Sequence, residues 1–83
     1  MDVELLFDQA EKLGIFGSYV RGEQNSNSDV DILVSFKELV GLLKFVALKH
    51  QLGELIGKDV DLVMKSALQP GIGKRILKEV IYV

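Results

Sequence analysis

The apolar residues near the N-terminus recur at intervals of three and four, which is the spacing of one face of an amphipathic helix. They are Val3, Leu6, Phe7, Ala10 and Leu13. Gly14 follows at the place where a glycine commonly ends a helix. The pattern therefore predicts a helix over residues 3–13, followed by a very short first strand that ends at Phe16.

Residues 29–36 alternate strictly between two faces after a polar loop over residues 21–28. On one face lie Asp29, Asp31 and Leu33. The residues on the other face are all β-branched and apolar: Val30, Ile32 and Val34. This segment predicts a strand that buries the apolar face and directs two neighbouring carboxylates away from it.

The second half of the chain predicts a helix, a strand and a last helix. Apolar residues at helical spacing run over residues 38–55, and Gly57 closes the helix. Residues 58–64 are typical of a strand, and residues 69–71 form a Gln-Pro-Gly turn. Residues 72–80 then form a final helix or an extended tail.

These elements, in this order, predict one domain over residues 1–83 of the α/β (α+β) class, with a small mixed sheet backed by helices. The composition, 48% hydrophobic and 27% charged, is that of a globular chain. The absence of cysteine excludes disulfides and thiolate metal sites, and no apolar run approaches the ~18 residues of a membrane span. Because acids stand where a signal peptide would carry Lys or Arg, we expect a cytoplasmic protein.

The net charge of −2 argues against a generic nucleic-acid coat protein, but the charge is uneven along the chain. Residues 1–42 hold eight acidic and three basic residues, whereas residues 43–83 hold four acidic and seven basic residues. The late basic residues are either solvated helix faces, which is the more common case, or a surface that attracts phosphate or an acidic partner.

Three aspartates are the candidate metal ligands. Asp29 and Asp31 share a strand face, and two like charges that close repel each other unless a cation neutralises them. Asp61 interrupts an apolar run on the next strand, where an unpaired carboxylate would be costly. Three such carboxylates can hold two divalent cations about 3.5–4 Å apart, as in two-metal phosphoryl transfer. Asp59 shares the face of Asp61, but we favour Asp61 because apolar residues flank it on both sides.

The pair Gly17-Ser18 is the candidate phosphate-binding turn. A glycine allows backbone N–H groups to approach phosphate oxygens, and the serine adds a hydroxyl at a strand-to-helix turn. Arg21 follows, and it either holds a phosphate or ties the loop to a carboxylate. Tyr19 either stacks on a base or, as is more common for a loop tyrosine, packs on the sheet.

Taken together, GS at 17–18, RG at 21–22, SDVDILV at 28–34, VDLV at 60–63 and the terminal RILKEVIYV resemble the signature of the minimal nucleotidyltransferases, small relatives of the DNA polymerase beta superfamily. The resemblance implies a polymerase beta-like fold and a two-metal nucleotidyl transfer. Asp29 and Asp31 would bridge two Mg²⁺ ions, with Mn²⁺ as an alternative, and Asp61 would complete the site. Gly17, Ser18 and Arg21 would bind the nucleotide.

In that family, stand-alone modules often pair with a HEPN protein as antitoxin and toxin. The resemblance thus implies a protein adenylyltransferase that moves AMP from ATP onto a hydroxyl of a HEPN-type partner. Since so short a chain offers little surface for an acceptor, we expect a partner protein or a self-complementary dimer to complete it. The alternatives are a non-catalytic antitoxin that neutralises its partner by contact, and transfer to a nucleic acid or a small molecule.

Overall fold

The computed structural model describes residues 10–38 and 40–83 of the chain. A four-stranded sheet is its centre, and the strands are β1 (Ala10–Phe16), β2 (Val30–Phe36), β3 (Val60–Met64) and β4 (Ile81–Tyr82). The helices are α1 (Ser18–Arg21), α2 (Leu42–Ile56) and α3 (Pro70–Glu79), with a 3₁₀ turn at Lys65–Ala67.

The strand order is β3-β2-β1-β4. β1 pairs antiparallel with β2 and with β4, whereas β2 and β3 run parallel. A parallel pair needs a crossover connection, and α2 provides it. The prediction of a small mixed sheet backed by helices is confirmed.

The predicted helix over residues 3–13 is wrong for the part that the structure describes, and residues 3–9 lie outside it. Residues 10–13 belong to β1, which is seven residues long and ends at Phe16 as predicted. Leu13 and Ile15 pair with Val34 and Ile32 of β2. Their alternating positions therefore belong to a strand and not to a helix.

Gly14 does not end a helix either. It lies inside β1 opposite Tyr82, and a Cβ added to it would lie 3.1 Å from the Tyr82 ring. The absence of a side chain therefore lets β4 pack closely against β1.

The apolar core lies between one face of the sheet and α2. The buried side chains of this core are Val30, Ile32, Val34, Leu48, Leu52, Val60 and Leu62. α2 begins after Gly41, four residues later than the predicted start at residue 38, and ends at Gly57 as predicted. Gly57 has φ +78°, the left-handed conformation that glycine adopts at a helix end.

The C-terminal segment forms both a helix and a short strand. Pro70 is at the start of α3, so the predicted turn at residues 69–71 is largely its first turn. After Glu79 the chain turns back into β4, an edge strand that the sequence patterns did not distinguish from a tail. No helix among residues 10–38 and 40–83 is long and apolar enough to cross a membrane.

Candidate active site

The central feature of the site is a pair of carboxylates on neighbouring strands. β2 and β3 run parallel in a register that places Asp31 directly opposite Asp61. Residues opposite each other in a sheet project from the same face, so both side chains lie on the face away from α2. Asp29 is exposed and lies just before β2, where its charge acts on Asp31. The structure therefore brings Asp31 and Asp61 together on one sheet face, with Asp29 nearby.

Asp59 lies outside the strand pairing. Its backbone carbonyl accepts a hydrogen bond of 3.0 Å from the N–H of Val30, and the residue is exposed. The register therefore distinguishes two aspartates that periodicity alone could not, because Asp61 and not Asp59 lies opposite Asp31.

The carboxylates repel each other. Partial burial raises the pKa of Asp31 above its usual value, and the neighbouring charges of Asp61 and then Asp29 raise it further. Arg21 acts in the opposite direction but is a smaller influence. The group is thus a concentration of negative charge that Arg21 offsets only in part.

This set of donors fits a hard divalent cation. It consists of carboxylate oxygens alone, and a cation between Asp31 and Asp61 would relieve the repulsion that raises the pKa of Asp31. Among the residues that the structure describes, no three His, Cys, Asp or Glu side chains are grouped closely enough to hold a metal ion by themselves. The described site therefore consists of the in-register pair Asp31 and Asp61, with Asp29 just before β2.

Gly17 brings the backbone against this carboxylate pair. Its dihedral angles are φ +80° and ψ −150°, a conformation that residues with a side chain rarely adopt. A Cβ built on Gly17 would lie 2.9 Å from the Cγ of Asp31, which is an overlap. Gly17 is therefore required both for the turn and for its close approach to Asp31.

Ser18 is the first residue of α1, directly after that turn. The carbonyl of Gly17 accepts hydrogen bonds from the N–H groups of Val20 and Arg21, each 3.1 Å long. The backbone thus folds back on itself within four residues, and Ser18 begins the helix next to the glycine that contacts Asp31. The structure places Gly17 of the predicted phosphate-binding turn against Asp31, and Ser18 follows it directly.

Glu79, at the end of α3, holds this turn from the other side. Its Oε2 accepts a hydrogen bond of 2.9 Å from the N–H of Gly17. Its Oε1 accepts a bond of 2.8 Å from Nη1 of Arg21, whose Nε donates to Glu23 at 3.0 Å. The hydrogen bond from Arg21, followed by that from Gly17, lowers the pKa of Glu79.

These contacts favour one of the two roles left open for Arg21, because in this structure it ties the loop to carboxylates. Glu79 was not identified from the sequence. Its only signal is its position in the terminal RILKEVIYV segment, since a single half-buried glutamate at the end of a helix has no periodic signature.

The polar loop before Asp29 is ordered by its own side chains. The N–H of Asn25 donates to Oγ of Ser28 at 2.9 Å, and the N–H of Asn27 donates to Oδ1 of Asn25 at 2.8 Å. The Tyr19 ring packs against the core, and its hydroxyl is 3.5 Å from the carbonyl of Ser28. Tyr19 therefore supports the loop from the sheet, as expected for a loop tyrosine.

A cavity of about 300 Å³ opens beside the carboxylates. Gly17 and Asp31 line one side, and α3 contributes Ile72, Arg75 and Glu79 to the other. The cavity therefore lies between the turn, Asp31 and the C-terminal helix, and both Arg21 and Arg75 line it.

Comparison with known proteins defines the class of this fold and site. Residues 4–83 match the family described as the nucleotidyltransferase domain. A solved structure of a minimal nucleotidyltransferase is 35% identical and superimposes with a TM-score of 0.78, over 98% of this chain and 95% of that one. The chain belongs to the nucleotidyltransferase domain family.

Two further matches are more specific. The protein adenylyltransferase MntA of Thermococcus cleftensis is 58% identical over 72 residues, which are 87% of this chain and 73% of that protein. A toxin-antitoxin crystal structure with AMP-PNP has a TM-score of 0.79 at 26% identity, covering 96% of this chain and 67% of that one. The predicted family and fold are confirmed.

Proposed function

We propose that this chain is a metal-dependent protein adenylyltransferase that moves AMP from ATP onto a hydroxyl group of a HEPN-type toxin partner, as the antitoxin of the pair. The observation that carries the proposal is the placement of Asp31 opposite Asp61, with the Gly17 turn against Asp31. The similar Thermococcus protein is named an adenylyltransferase, and the similar toxin-antitoxin structure contains AMP-PNP.

Asp29, Asp31 and Asp61 are the proposed ligands of two Mg²⁺ ions, with Mn²⁺ as an alternative because both favour oxygen donors. Such cations neutralise charge on the triphosphate and lower the pKa of the attacking hydroxyl. The raised pKa of Asp31 is consistent with this assignment, since it is caused first by partial burial and then by the charges of Asp61 and Asp29, and a bound cation would offset both effects.

Ser18 is the proposed phosphate ligand of the turn, through its hydroxyl and backbone N–H. The N–H of Gly17 is already bonded to Glu79, so Gly17 contributes its conformation and its lack of a side chain. We assign Arg21 to the nucleotide site through the same turn, which it holds by its ion pair with Glu79.

In the reaction, the acceptor oxygen bonds to the α-phosphorus of ATP while the bond from that phosphorus to the leaving pyrophosphate oxygen breaks. The hydroxyl proton is lost in the same step and needs a base. Asp61 is the more exposed member of the in-register pair, and we assign it this proton.

The test is transfer of label from radioactive ATP, labelled at the α-phosphate, with Mg²⁺, to a HEPN-type protein supplied as the acceptor. Asp31→Asn removes the charge but keeps the shape, and we expect it to lower the transfer rate by about 10²–10³-fold. Glu11→Gln changes an exposed acid on β1 that lies outside the site and serves as the matched control.

Label transfer that persists in Asp31→Asn would overturn the proposed site. If the wild-type chain transfers nothing but still binds and silences the partner, the chain is a non-catalytic antitoxin. Label that appears on a nucleic acid or a small molecule instead of the protein would overturn the proposed acceptor.

A further inference from the structure

We infer that Glu79 is a positioning residue for the transfer reaction: it holds the Gly17 turn in the conformation that receives the nucleotide. The inference rests on the function proposed above. It assigns the C-terminal end of α3 to the active site, although no chemistry at the reacting atoms requires a residue there.

Glu79 makes two directed contacts with one turn. Its carboxylate oxygens divide between the N–H of Gly17, at 2.9 Å, and the guanidinium of Arg21, at 2.8 Å. The two donors lie at opposite ends of a single turn of backbone, residues 17–21. A carboxylate that bridges them fixes their separation, which a bond to either donor alone would not do.

The Gly17 turn also approaches Asp31 so closely that its position must be held accurately. Gly17 has φ +80° and ψ −150°, and it lies close enough to Asp31 to exclude even a methyl group. The Gly17 backbone is therefore held between Asp31 on one side and Glu79 on the other. If the bond to Glu79 is lost, the turn can move away from the carboxylate pair, and Ser18 moves with it.

Glu79 also keeps its negative charge in this environment. Arg21 is bonded to it, and the positive charge of Arg75 also acts on it. Arg75 and Glu79 line the cavity that opens toward Asp31. With two arginines nearby, the negative charge of Glu79 is compensated and adds little repulsion against an incoming triphosphate.

An opposite role can be stated for the same contacts. A carboxylate on a backbone N–H resembles a phosphate oxygen, so Glu79 would then occupy a place that the nucleotide takes over. The two roles predict opposite effects on ATP binding, because removal of a support weakens binding whereas removal of a competitor strengthens it.

The experiment measures kcat and KM for ATP, with Mg²⁺ and the partner protein, for Glu79→Ala and Glu79→Gln. We expect Glu79→Ala to lower kcat/KM about 10–100-fold, mostly through KM, because a poorly placed turn costs binding and orientation. Glu79→Gln keeps an acceptor for the N–H of Gly17 and loses the ion pair, so we expect it to recover at least a third of that loss on a logarithmic scale.

Glu54→Gln is the matched control, because Glu54 is an exposed glutamate on α2 outside the site. Thermal unfolding and circular dichroism of each variant show whether it is folded under the assay conditions. Arg21→Gln combined with Glu79→Gln gives a second measure: if the ion pair acts as one unit, the double variant is no more than twofold worse than the poorer single variant.

A kcat/KM for folded Glu79→Ala within twofold of Glu54→Gln would overturn the inference, and so would tighter ATP binding by Glu79→Ala. Binding of AMP-PNP with Mg²⁺ separates this result from failure of the proposed function. If wild type binds AMP-PNP but transfers nothing, the proposed function is wrong, but weaker AMP-PNP binding by Glu79→Ala would still show that Glu79 holds the turn. If wild type binds no AMP-PNP, the proposed function and the positioning role of Glu79 are both wrong.

Discussion

The two faces of β2 are built from alternate residues of one strand, yet they are organised by different forces. Toward α2, Val30, Ile32 and Val34 are buried among aliphatic side chains, and the hydrophobic effect holds them. On the other face, Asp31 lies opposite Asp61. This pair does not stabilise the fold, because the two negative charges repel each other. The face toward α2 thus stabilises the fold throughout, whereas the other face combines the buried Leu33 with an unfavourable charge pair suited to a cation.

This comparison predicts that substitutions on the two faces affect different quantities. Core substitutions should lower the free energy of unfolding and leave the chemistry of the folded fraction intact. Substitutions at the acid pair should abolish transfer at little cost in stability, or even with a gain.

The largest stability effect is expected on the core face. Leu48 of α2 is 1% exposed, so Leu48→Ala should lower the free energy of unfolding by about 2–5 kcal/mol through lost burial and a residual cavity. Urea denaturation measures it. Leu43→Ala, on an exposed position of the same helix, is the control and should change stability by less than about 0.5 kcal/mol. An equal effect of the two would contradict the assigned core.

Gly17→Ala should affect both quantities. The new methyl group overlaps Asp31 and the φ of +80° disfavours alanine, so we expect a loss of about 1–3 kcal/mol in stability together with most of the transfer activity. Gly41→Ala is the matched control, because Gly41 has φ −73° and open space around its Cα. Retained transfer by Gly17→Ala would show that the turn does not need to approach Asp31.

Asp31 should make the metal-free chain less stable as the pH rises. Its pKa is raised in the folded state, so its contribution is favourable below the unfolded pKa of about 4 and is lost as the pH rises through the folded value. Asp31→Asn removes this dependence, and its stability relative to wild type should rise between about pH 3 and pH 7 by less than about 1 kcal/mol. Chemical denaturation in the presence of EDTA at each pH measures this difference in stability. A difference that does not change with pH would contradict a raised pKa of Asp31.

The contribution of Glu79 to stability should depend on pH in the opposite direction. Its pKa is lowered by Arg21 and by the N–H of Gly17, so its contribution is present above the unfolded pKa and is lost as the pH falls through the folded value. The stability of Glu79→Gln relative to wild type should therefore rise on acidification, as measured by the same denaturation series. A difference that does not depend on pH would mean that the ion pair is absent in solution.

The sequence predicted the parts of this molecule in which local pattern and global fold agree. Alternation identified β2 and both of its faces, and the family signature identified Gly17, Ser18 and Asp31 as neighbours in space. The pattern failed at residues 10–13, because Ala10 and Leu13 have helical rather than alternating spacing. In the structure an irregularity in the β1–β2 register between Ala10 and Lys12 accommodates this spacing in a strand, and both apolar residues pack against the core. It also missed Glu79, because the contacts of this side chain join residues 58 and 62 positions apart.

The central claim is that the strand register selects Asp61, rather than Asp59, as the partner of Asp31. Both residues are exposed aspartates two positions apart, Asp59 just before β3 and Asp61 within it, so Asp59→Asn and Asp61→Asn form a matched pair. The measurement is the rate of label transfer from ATP to the partner protein by each variant, with Mg²⁺. The account predicts a loss of about 10²–10³-fold for Asp61→Asn and less than about threefold for Asp59→Asn. Equal losses, or a larger loss for Asp59→Asn, would contradict it.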